Sequence, residues 1–527
     1  MPIPWWRDAV VYQIYVRSFA DSDGDGLGDI PGITARLDHV SRLGADAVWL
    51  TPFYTSPQHD HGYDVADYRD VDPRFGTLAD ADALVARAHE LGLRMIVDLV
   101  PNHTSWDHPW FKAALASKPG SPERARYLFR DGRGRNGAQP PNNWRSVFGG
   151  PAWERVEDGQ WYLHLFDRSQ PDLDWTNPEV GDEFESILRF WLDRGVDGFR
   201  IDVAHGLFKA AGLPDVPNPQ SGASGIDIDQ RADHEPMWDQ PEVHEVYRRW
   251  HKVLESYPGD RMAVAEAWVK TPESTARYIR SDELQQAFNF HWLTSSWSAR
   301  DFRHVVTETL RAVGLVHGSP TWVLSNHDVV RHVTRYGGGA VGLARAKAAT
   351  LTMLALPGSA YLYQGEELGL EEVDVPRKYW QDPGALRGGR AGRDGCRVPI
   401  PWEGTLPPYA FGPGTTQPWL PQPKGWASLT VAAEEADPAS TLSFYREALG
   451  LRREVAVPAG EQVELLTTGR TVLAIRRGNG LVCVTNFGRG RAGLPPEAGE
   501  LLLESTPGSV HDGRIGPDTA AWFRPTA

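Results

Sequence analysis

Cysteine is nearly absent, with Cys396 and Cys483 the two in 527 residues. Two thiols cannot staple a disulfide framework, so the fold must rest on a buried core. Long apolar runs are missing too, and no stretch approaches the ~20 residues a membrane-spanning helix needs. The N-terminal Met1-Pro-Ile-Pro-Trp-Trp-Arg-Asp8 has no basic flank leading into an apolar segment, so it does not read as a secretory signal. The expected location is the cytoplasm. Positive charge is in deficit, 54 Lys and Arg against 69 Asp and Glu, for a formal net charge of −15. An acidic surface repels phosphate backbones and anionic lipid heads, which makes nucleic acid and membranes poor partners and favours a small neutral or cationic molecule.

What is present reads as a globular chain. Hydrophobic residues make up 41% and charged ones 23%, and the length suffices for two or three packed units. Short β-branched runs alternate with longer helical ones. Val10–Val16, Ala47–Leu50 and Arg94–Val100 read as three strands, the third preceded by a helix that opens at Thr77-Leu-Ala-Asp80 and closes at Gly92. Five more strands are predicted at Gly198–Asp202, Met262–Glu266, Ala287–Phe290, Trp322–Ser325 and Ala360–Tyr363, with helices such as Glu183–Arg194 and Val243–Tyr257 between them. Eight such units imply an α/β fold, a parallel sheet closed into a (β/α)8 TIM barrel. Residues 104–174, rich in Trp, Pro, Gly and Arg, read as a subdomain inserted after strand three. From about 456 the pattern alternates, with a Gly478-Asn-Gly480 turn, which predicts a C-terminal antiparallel β domain over 456–527. The barrel then takes 1–103 and 175–455. Leu213–Met237 and the glycine-rich Gly384–Gly395 read as loops.

In such a barrel, chemistry sits at the C-terminal ends of the strands. There strand three runs into Asp98-Leu-Val-Pro-Asn-His103, strand four ends in Gly198-Phe-Arg-Ile-Asp202, strand five in Ala265-Glu266, and strand seven in Ser325-Asn-His-Asp328. A lone acid after an apolar strand is most often a helix cap or an ion-pair partner. Three on one rim, flanked by Arg200, His103 and His327, suit glycoside cleavage instead. One carboxylate attacks the anomeric carbon and another protonates the leaving oxygen. The 21 tryptophans fit a sugar site as well as a core, since indole faces stack on pyranose rings.

These segments together resemble the α-amylase family of glycoside hydrolases. Gln170-Pro-Asp-Leu-Asp-Trp175 is similar to the segment that marks its oligo-1,6-glucosidase and α-glucosidase subgroup, and the likeness spans almost the whole chain. It implies Asp202 as nucleophile, Glu266 as acid and then base, and Asp328 as the holder of sugar hydroxyls and stabiliser of the transition state. Arg200 would keep Asp202 ionised and oriented, while His103 and His327 would donate to hydroxyls. Gly62-Tyr-Asp64 resembles the part that closes the pocket, with Tyr63 under the glucose and Asp64 on its outer hydroxyls. Arg397, in Arg393-Asp-Gly-Cys-Arg397, resembles the partner of that acid. Phe166 and Gln170 look like further pocket walls, and Val203 resembles a residue that accompanies α-1,6 activity. The Ala204-His-Gly-Leu207 after it looks more like glucosidases that favour α-1,4 links. A dead-end pocket implies exo-action on short oligosaccharides. Two stretches depart from the subgroup: His59 and His61 stand where acids or amides are usual, and Val398-Pro-Ile-Pro-Trp402 replaces Thr-Pro-Met-Gln.

Asp21-Ser-Asp-Gly-Asp-Gly-Leu-Gly-Asp29 places Asp21, Asp23, Asp25 and Asp29 at loop positions one, three, five and nine, with Leu27 offering its carbonyl. Alternate oxygen ligands on a tight loop suit Ca2+, or Mg2+, and Gly32 at position twelve excludes an EF-hand. The resembled glucosidases carry a structural ion there; no organic cofactor is expected. Two rivals share the fold. One is a glucosyl-transferring or isomerising enzyme of the sucrose isomerase or trehalose synthase type, governed by the loops Leu213–Met237 and Leu370–Trp426. The other is a membrane-anchored, non-catalytic transporter subunit, which a complete set of acids and the lack of an anchor disfavour. Oligomeric state is not legible.

Overall fold

The computed structural model describes residues 3–217, 235–388 and 392–525. Eight parallel strands form its centre: β1 (Val10–Ile14), β2 (Ala47–Leu50), β3 (Arg94–Leu99), β4 (Gly198–Ile201), β5 (Met262–Ala265), β6 (Gln286–Ala287), β7 (Thr321–Val323) and β8 (Ser359–Tyr363). Neighbours in sequence are neighbours in the sheet, and β8 returns to β1 in the register Val10↔Ala360 to Gln13↔Tyr363. The remaining seam, β6 to β7, is closed by the parallel bridge Phe288↔Thr321. The sheet is the predicted barrel. Its strands are buried on both faces, which is why they read as unbroken apolar runs.

The helices start where the sequence places caps. Leu78–Glu90 opens on a reciprocal box: Thr77 Oγ1 accepts from the Asp80 N–H at 3.3 Å, and Asp80 accepts from the Thr77 N–H at 2.8 Å. The helix predicted over Glu183–Arg194 begins earlier, at Pro178, because Asn177 caps it and proline suits the first turn. Strand six is shorter than the predicted Ala287–Phe290. The Asn289 side chain accepts from the Trp292 N–H at 3.0 Å and coils Phe290–Leu293 into a helical turn.

After β3 the chain leaves the barrel and builds a three-stranded antiparallel sheet from Phe129–Asp131, Trp153–Arg155 and Gln160–Leu163. It returns beside its exit through the bridge His103↔Asp172. Lys209 pins that neck, its Nζ 2.8 Å from both Asn102 Oδ1 and Asp172 Oδ2 and bonded to the Gly206 carbonyl. A five-stranded antiparallel sheet ends the chain and packs on helix Gly339–Ala355, where Trp522 Nε1 donates to the Leu351 carbonyl at 2.9 Å. Buried Arg452 and Arg477 donate to the carbonyls of Leu354, Ala355 and Leu356, placing cations at the negative end of that helix. Of the predicted loops, residues 218–234 and 389–391 lie outside the described residues, and Pro383–Gly388 is a short helix. Among the described residues no helix is long and apolar enough to cross a membrane.

Two buried glutamates, Glu366 just after β8 and Glu434 on the helix Val431–Glu435, carry a pH signature. Burial pushes Glu366 and Glu434 up to about 8, against the Tyr363 and Leu442 N–H groups they accept from. A carboxyl raised this way contributes stability below its ordinary value of 4.5 and loses it as pH rises through about 8. Glu366→Gln removes the group. Its stability relative to the parent, read from the melting temperature, should therefore be greater at about pH 8.5 than at about pH 5 by on the order of 4 kcal/mol. An equal offset at both pH values would rule this out.

Candidate active site

Asp202 follows β4 directly, Glu266 follows β5 directly, and Asp328 lies just beyond β7. Between the first two stands Arg200, 1% exposed. Its Nη1 is 2.9 Å from Asp98 Oδ1 and 2.6 Å from Asp202 Oδ1, and its Nη2 is 2.9 Å from Glu266 Oε2. Glu266 also accepts from the Val203 N–H at 2.8 Å and from Trp268 Nε1 at 2.9 Å. To aim that N–H, Val203 takes φ 46°, a left-handed conformation that costs a β-branched residue on the order of 1–3 kcal/mol. Burial pushes Asp202 upward while Arg200 opposes it, and the same contest leaves Asp98 at about 7. Asp98, Asp202 and Glu266 thus share a single guanidinium.

Asp328 has the opposite balance. Burial pushes it up, but His327, Arg393 and Arg397 outweigh that and hold it well below the usual carboxylate range. Its Oδ1 accepts from Arg393 Nη1 at 2.9 Å and Arg397 Nη2 at 3.0 Å. His103 is pushed down to about 4 by burial, so it is a neutral ring at physiological pH. The Tyr63 ring stacks on His327 with centroids 5.4 Å apart and planes 6° from parallel.

Together these residues floor a cavity that opens to solvent. Its polar lining is Asp60, Tyr63, His103, Asp202, Glu266, His327, Asp328 and Arg393; Val147, Phe148, Phe166, Val203, Trp238 and Trp268 supply an apolar wall, with His205 beside them. Eight of the sequence-selected residues therefore meet at one cavity: Tyr63, His103, Phe166, Asp202, Val203, Glu266, His327 and Asp328. Four others lie behind it. Arg200 sits beneath the acids. Asp64, fully buried, accepts from Ser56 Oγ and from the N–H groups of His59 and Asp60, all near 3 Å, and so staples its own loop. Gln170, also fully buried, donates to Asp60 Oδ2 at 3.1 Å. Arg397 pairs with Asp328 and not with Asp64, because Asp64 has turned inward to its loop.

The outward acid is Asp60, four residues earlier. It pairs with Arg393 Nη2 at 2.9 Å and is pushed up by burial to about 6 despite that cation. Asp60 and Arg393 lie inside stretches singled out in the sequence and Trp268 two residues beyond one, so the signal lay next to the residues chosen. Nothing local marks Phe148 or Trp238. In the acidic loop, carboxylate oxygens of Asp21, Asp23 and Asp29 come within 4.8 Å of one another. Asp25 is outside that group, its Oδ1 taken by the Leu27 N–H at 2.7 Å. None of the four acids is ion-paired among the described residues, and burial pushes Asp21 up with Asp25 and Asp23 adding to it, so the donor set fits a cation.

Asp202 and Glu266 share a guanidinium on a barrel rim, with Asp328 across the cavity, an arrangement suited to glycoside cleavage, and similar proteins make the chain a glycoside hydrolase. The chain belongs to the alpha-amylase family: the family described as "Alpha amylase, catalytic domain" matches residues 13–460. It is 41% identical over 501 residues to a "Probable alpha-glucosidase" of Rhizobium meliloti (strain 1021), covering 92% of this chain and 89% of that one. It is 38% identical to an "Oligo-1,6-glucosidase" of Parageobacillus thermoglucosidasius, over 85% of this chain and 84% of the other. Among solved structures, an "alpha-glucosyl transfer enzyme" is similar at 38% identity and a TM-score of 0.89, covering 99% of this chain and 100% of that one.

Substitution separates the two acids. Asp60→Asn should raise KM for a glucoside about tenfold or more, the size of a lost charged hydrogen bond, with little change in melting temperature. Asp64→Asn should lower the melting temperature first. The reverse pattern would return Asp64 to the substrate.

Proposed function

We propose that the protein is a retaining, exo-acting α-glucosidase that releases terminal non-reducing glucose from short α-linked oligosaccharides. The observation that carries this is Arg200 gripping both Asp202 and Glu266. Acids sharing one guanidinium suit the close carboxyl spacing of a retaining pair, ~5 Å, better than the ~6.5–9.5 Å that an inverting enzyme keeps for water. Arg200 occupies Asp202 Oδ1, and among the described residues Oδ2 has no partner. That oxygen is the nucleophile. It attacks the anomeric carbon as the bond to the leaving oxygen breaks, and Glu266 gives its proton to that oxygen. Glu266 then takes a proton from water, which attacks the same carbon, frees glucose and restores Asp202. His327 and Asp328 hold a ring hydroxyl as charge develops on the sugar. α-1,4 links are favoured, with α-1,6 links the alternative that the isomaltose arm below tests.

The second reading is transfer, in which a sugar hydroxyl replaces water. It is supported by the apolar wall of Phe148, Phe166, Trp238 and Trp268 and by the likeness to a transfer enzyme. One experiment tests both. Incubation with maltose, isomaltose, sucrose and trehalose should yield mainly free glucose, and Asp202→Asn should lower kcat by about 10⁴-fold or more, as loss of a catalytic carboxylate does. Mainly new disaccharides would establish transfer, and no turnover of any substrate would overturn both.

The acidic loop would hold a structural Ca2+ through Asp21, Asp23 and Asp29, with Asp25 and the Leu27 carbonyl on its rim. The ion would neutralise the loop against the segment around Phe411, whose carbonyl accepts from the Asp21 N–H at 2.9 Å. Chelation should lower the melting temperature by several degrees, Ca2+ should restore it better than Mg2+, and Asp21→Asn should abolish the difference. A chelator-insensitive parent would remove the ion.

A further inference from the structure

Gln13 sits on β1, 1% exposed, and no step proposed above uses it. Its amide nitrogen lies 2.7 Å from His327 Nδ1. The other ring nitrogen, Nε2, faces two oxygens: Tyr63 Oη at 2.7 Å and Asp328 Oδ2 at 3.3 Å. Asp328 is ionised and can only accept, so Nε2 must carry a hydrogen. Burial pushes His327 well below its usual range, so the ring is neutral and carries that hydrogen alone. Nδ1 is then a bare acceptor, and Gln13 must turn its N–H towards it. The bonds run one way: Gln13 to His327, His327 to Tyr63, and Tyr63 to Asp98 Oδ2 at 3.1 Å.

We propose that Gln13 is a positioning residue for glucoside turnover, fixing His327 as the Nε2–H tautomer so that a neutral donor stands beside Asp328 in the pocket. The proposal rests on the glucosidase reading of the site. A sugar hydroxyl that takes this N–H over from Tyr63 can donate its own hydrogen to Asp328, so the pair matches both halves of one hydroxyl. The other tautomer would set two acceptors side by side and leave the hydroxyl a partner short. The charged groups facing the ring are Asp328, Arg200 from β4, Arg393 and Arg397 from the segment after β8, and Asp98 beyond Tyr63. Tyr15 stacks on it from the end of β1, with centroids 5.6 Å apart. Three cations around the ring disfavour an imidazolium, so Gln13 controls the tautomer and not the charge.

Gln13→Met removes the donor at similar volume, and Gln13→Glu sets an acceptor against Nδ1. Nitrogen-15 shifts of labelled histidines, with His327 assigned by its own substitution, read the tautomer without turnover. They should show protonated Nε2 and bare Nδ1 in the parent and the reverse in Gln13→Glu. Both variants should keep the parent melting temperature to within a few degrees while kcat/KM on maltose falls about tenfold to a hundredfold, the usual effect of removing a partner that orients a histidine. A parent ring protonated on Nδ1 overturns the proposal. So does an unchanged kcat/KM in a variant whose tautomer has reversed. A parent inactive on every glucoside would overturn the proposed function instead, and the nitrogen shifts would still report on the ring.

Discussion

A guanidinium buried among three carboxylates is tolerable only inside a frame that cannot relax, and the parallel barrel gives Arg200 such a frame. Each ion taken from water costs several kcal/mol, repaid only where geometry is good and the remaining lone pairs find donors. Those donors are distributed unevenly. Asp98 also accepts from Trp49 Nε1 at 3.2 Å and from Tyr63, and Glu266 also accepts from Val203 and Trp268. Among the described residues Asp202 accepts from Arg200 alone. The least satisfied of the three, Asp202, is thus one of the two that face the cavity. Strain at Val203 belongs to the same arrangement, since the left-handed turn after β4 supplies one of the donors that hold Glu266 in place.

The barrel positions the acids, and elements outside it close the pocket. His103 and Asp172 bridge at the neck of the inserted subdomain, and Lys209 locks that neck to the turn after β4. The subdomain then sends Gln170 to Asp60 and Phe148 beneath the Arg393 guanidinium, 5.2 Å from the ring centroid. Arg393 itself holds Asp60, Asp328 and Asp382, and Arg387 pairs with Asp167 of the subdomain. The segment after β8 is in this way clasped to three other parts of the chain by ion pairs, most of them buried. Pairs of this kind fix relative position even where their net contribution to stability is small.

The barrel was legible because each of its strands is a short apolar run ending in a polar residue, and that pattern is local. The acids at the ends of β4, β5 and β7 were legible for the same reason. Partner choice was not. Asp60 and Asp64 lie four residues apart on one loop, and Arg393 and Arg397 four apart on another. Which acid turns outward depends on how the first loop folds on itself, through Ser56, His59 and the Asp60 N–H. Asp64 satisfies its own backbone, so Asp60 is left for the distant cation. The Phe288–Phe290 region failed in a related way. Its residues are good strand formers, but one Asn289 side chain offers the backbone a helical cap, and a single hydrogen bond decides the boundary. The tryptophans divide between both uses that their number allowed: Trp49, Trp144, Trp191, Trp250, Trp292, Trp322 and Trp522 are core, while Trp238 and Trp268 line the cavity.

The division of the cavity into a polar floor and an apolar wall locates the choice between water and sugar as acceptor. In the proposed mechanism the floor carries the charged groups that act on glucose, and it would serve hydrolysis and transfer equally. The wall is continuous: Phe148 meets Phe166 at 5.9 Å between centroids, Phe166 meets Trp238 at 6.3 Å, and Trp238 stacks on His205 at 4.9 Å. Trp268, stacked on Phe290 at 3.8 Å, joins the wall to Glu266 through its N–H. Glu266, the proposed acid and base, therefore has an aromatic neighbour, and ring faces bind the face of a sugar well and order water poorly. Phe148 and Phe166 come from the inserted subdomain, Trp238 from the turn region after β4, and Trp268 from just beyond β5. The acceptor side is built by segments that can change without disturbing Arg200 and its acids, so one barrel rim can serve hydrolysis or transfer while its charged floor stays the same.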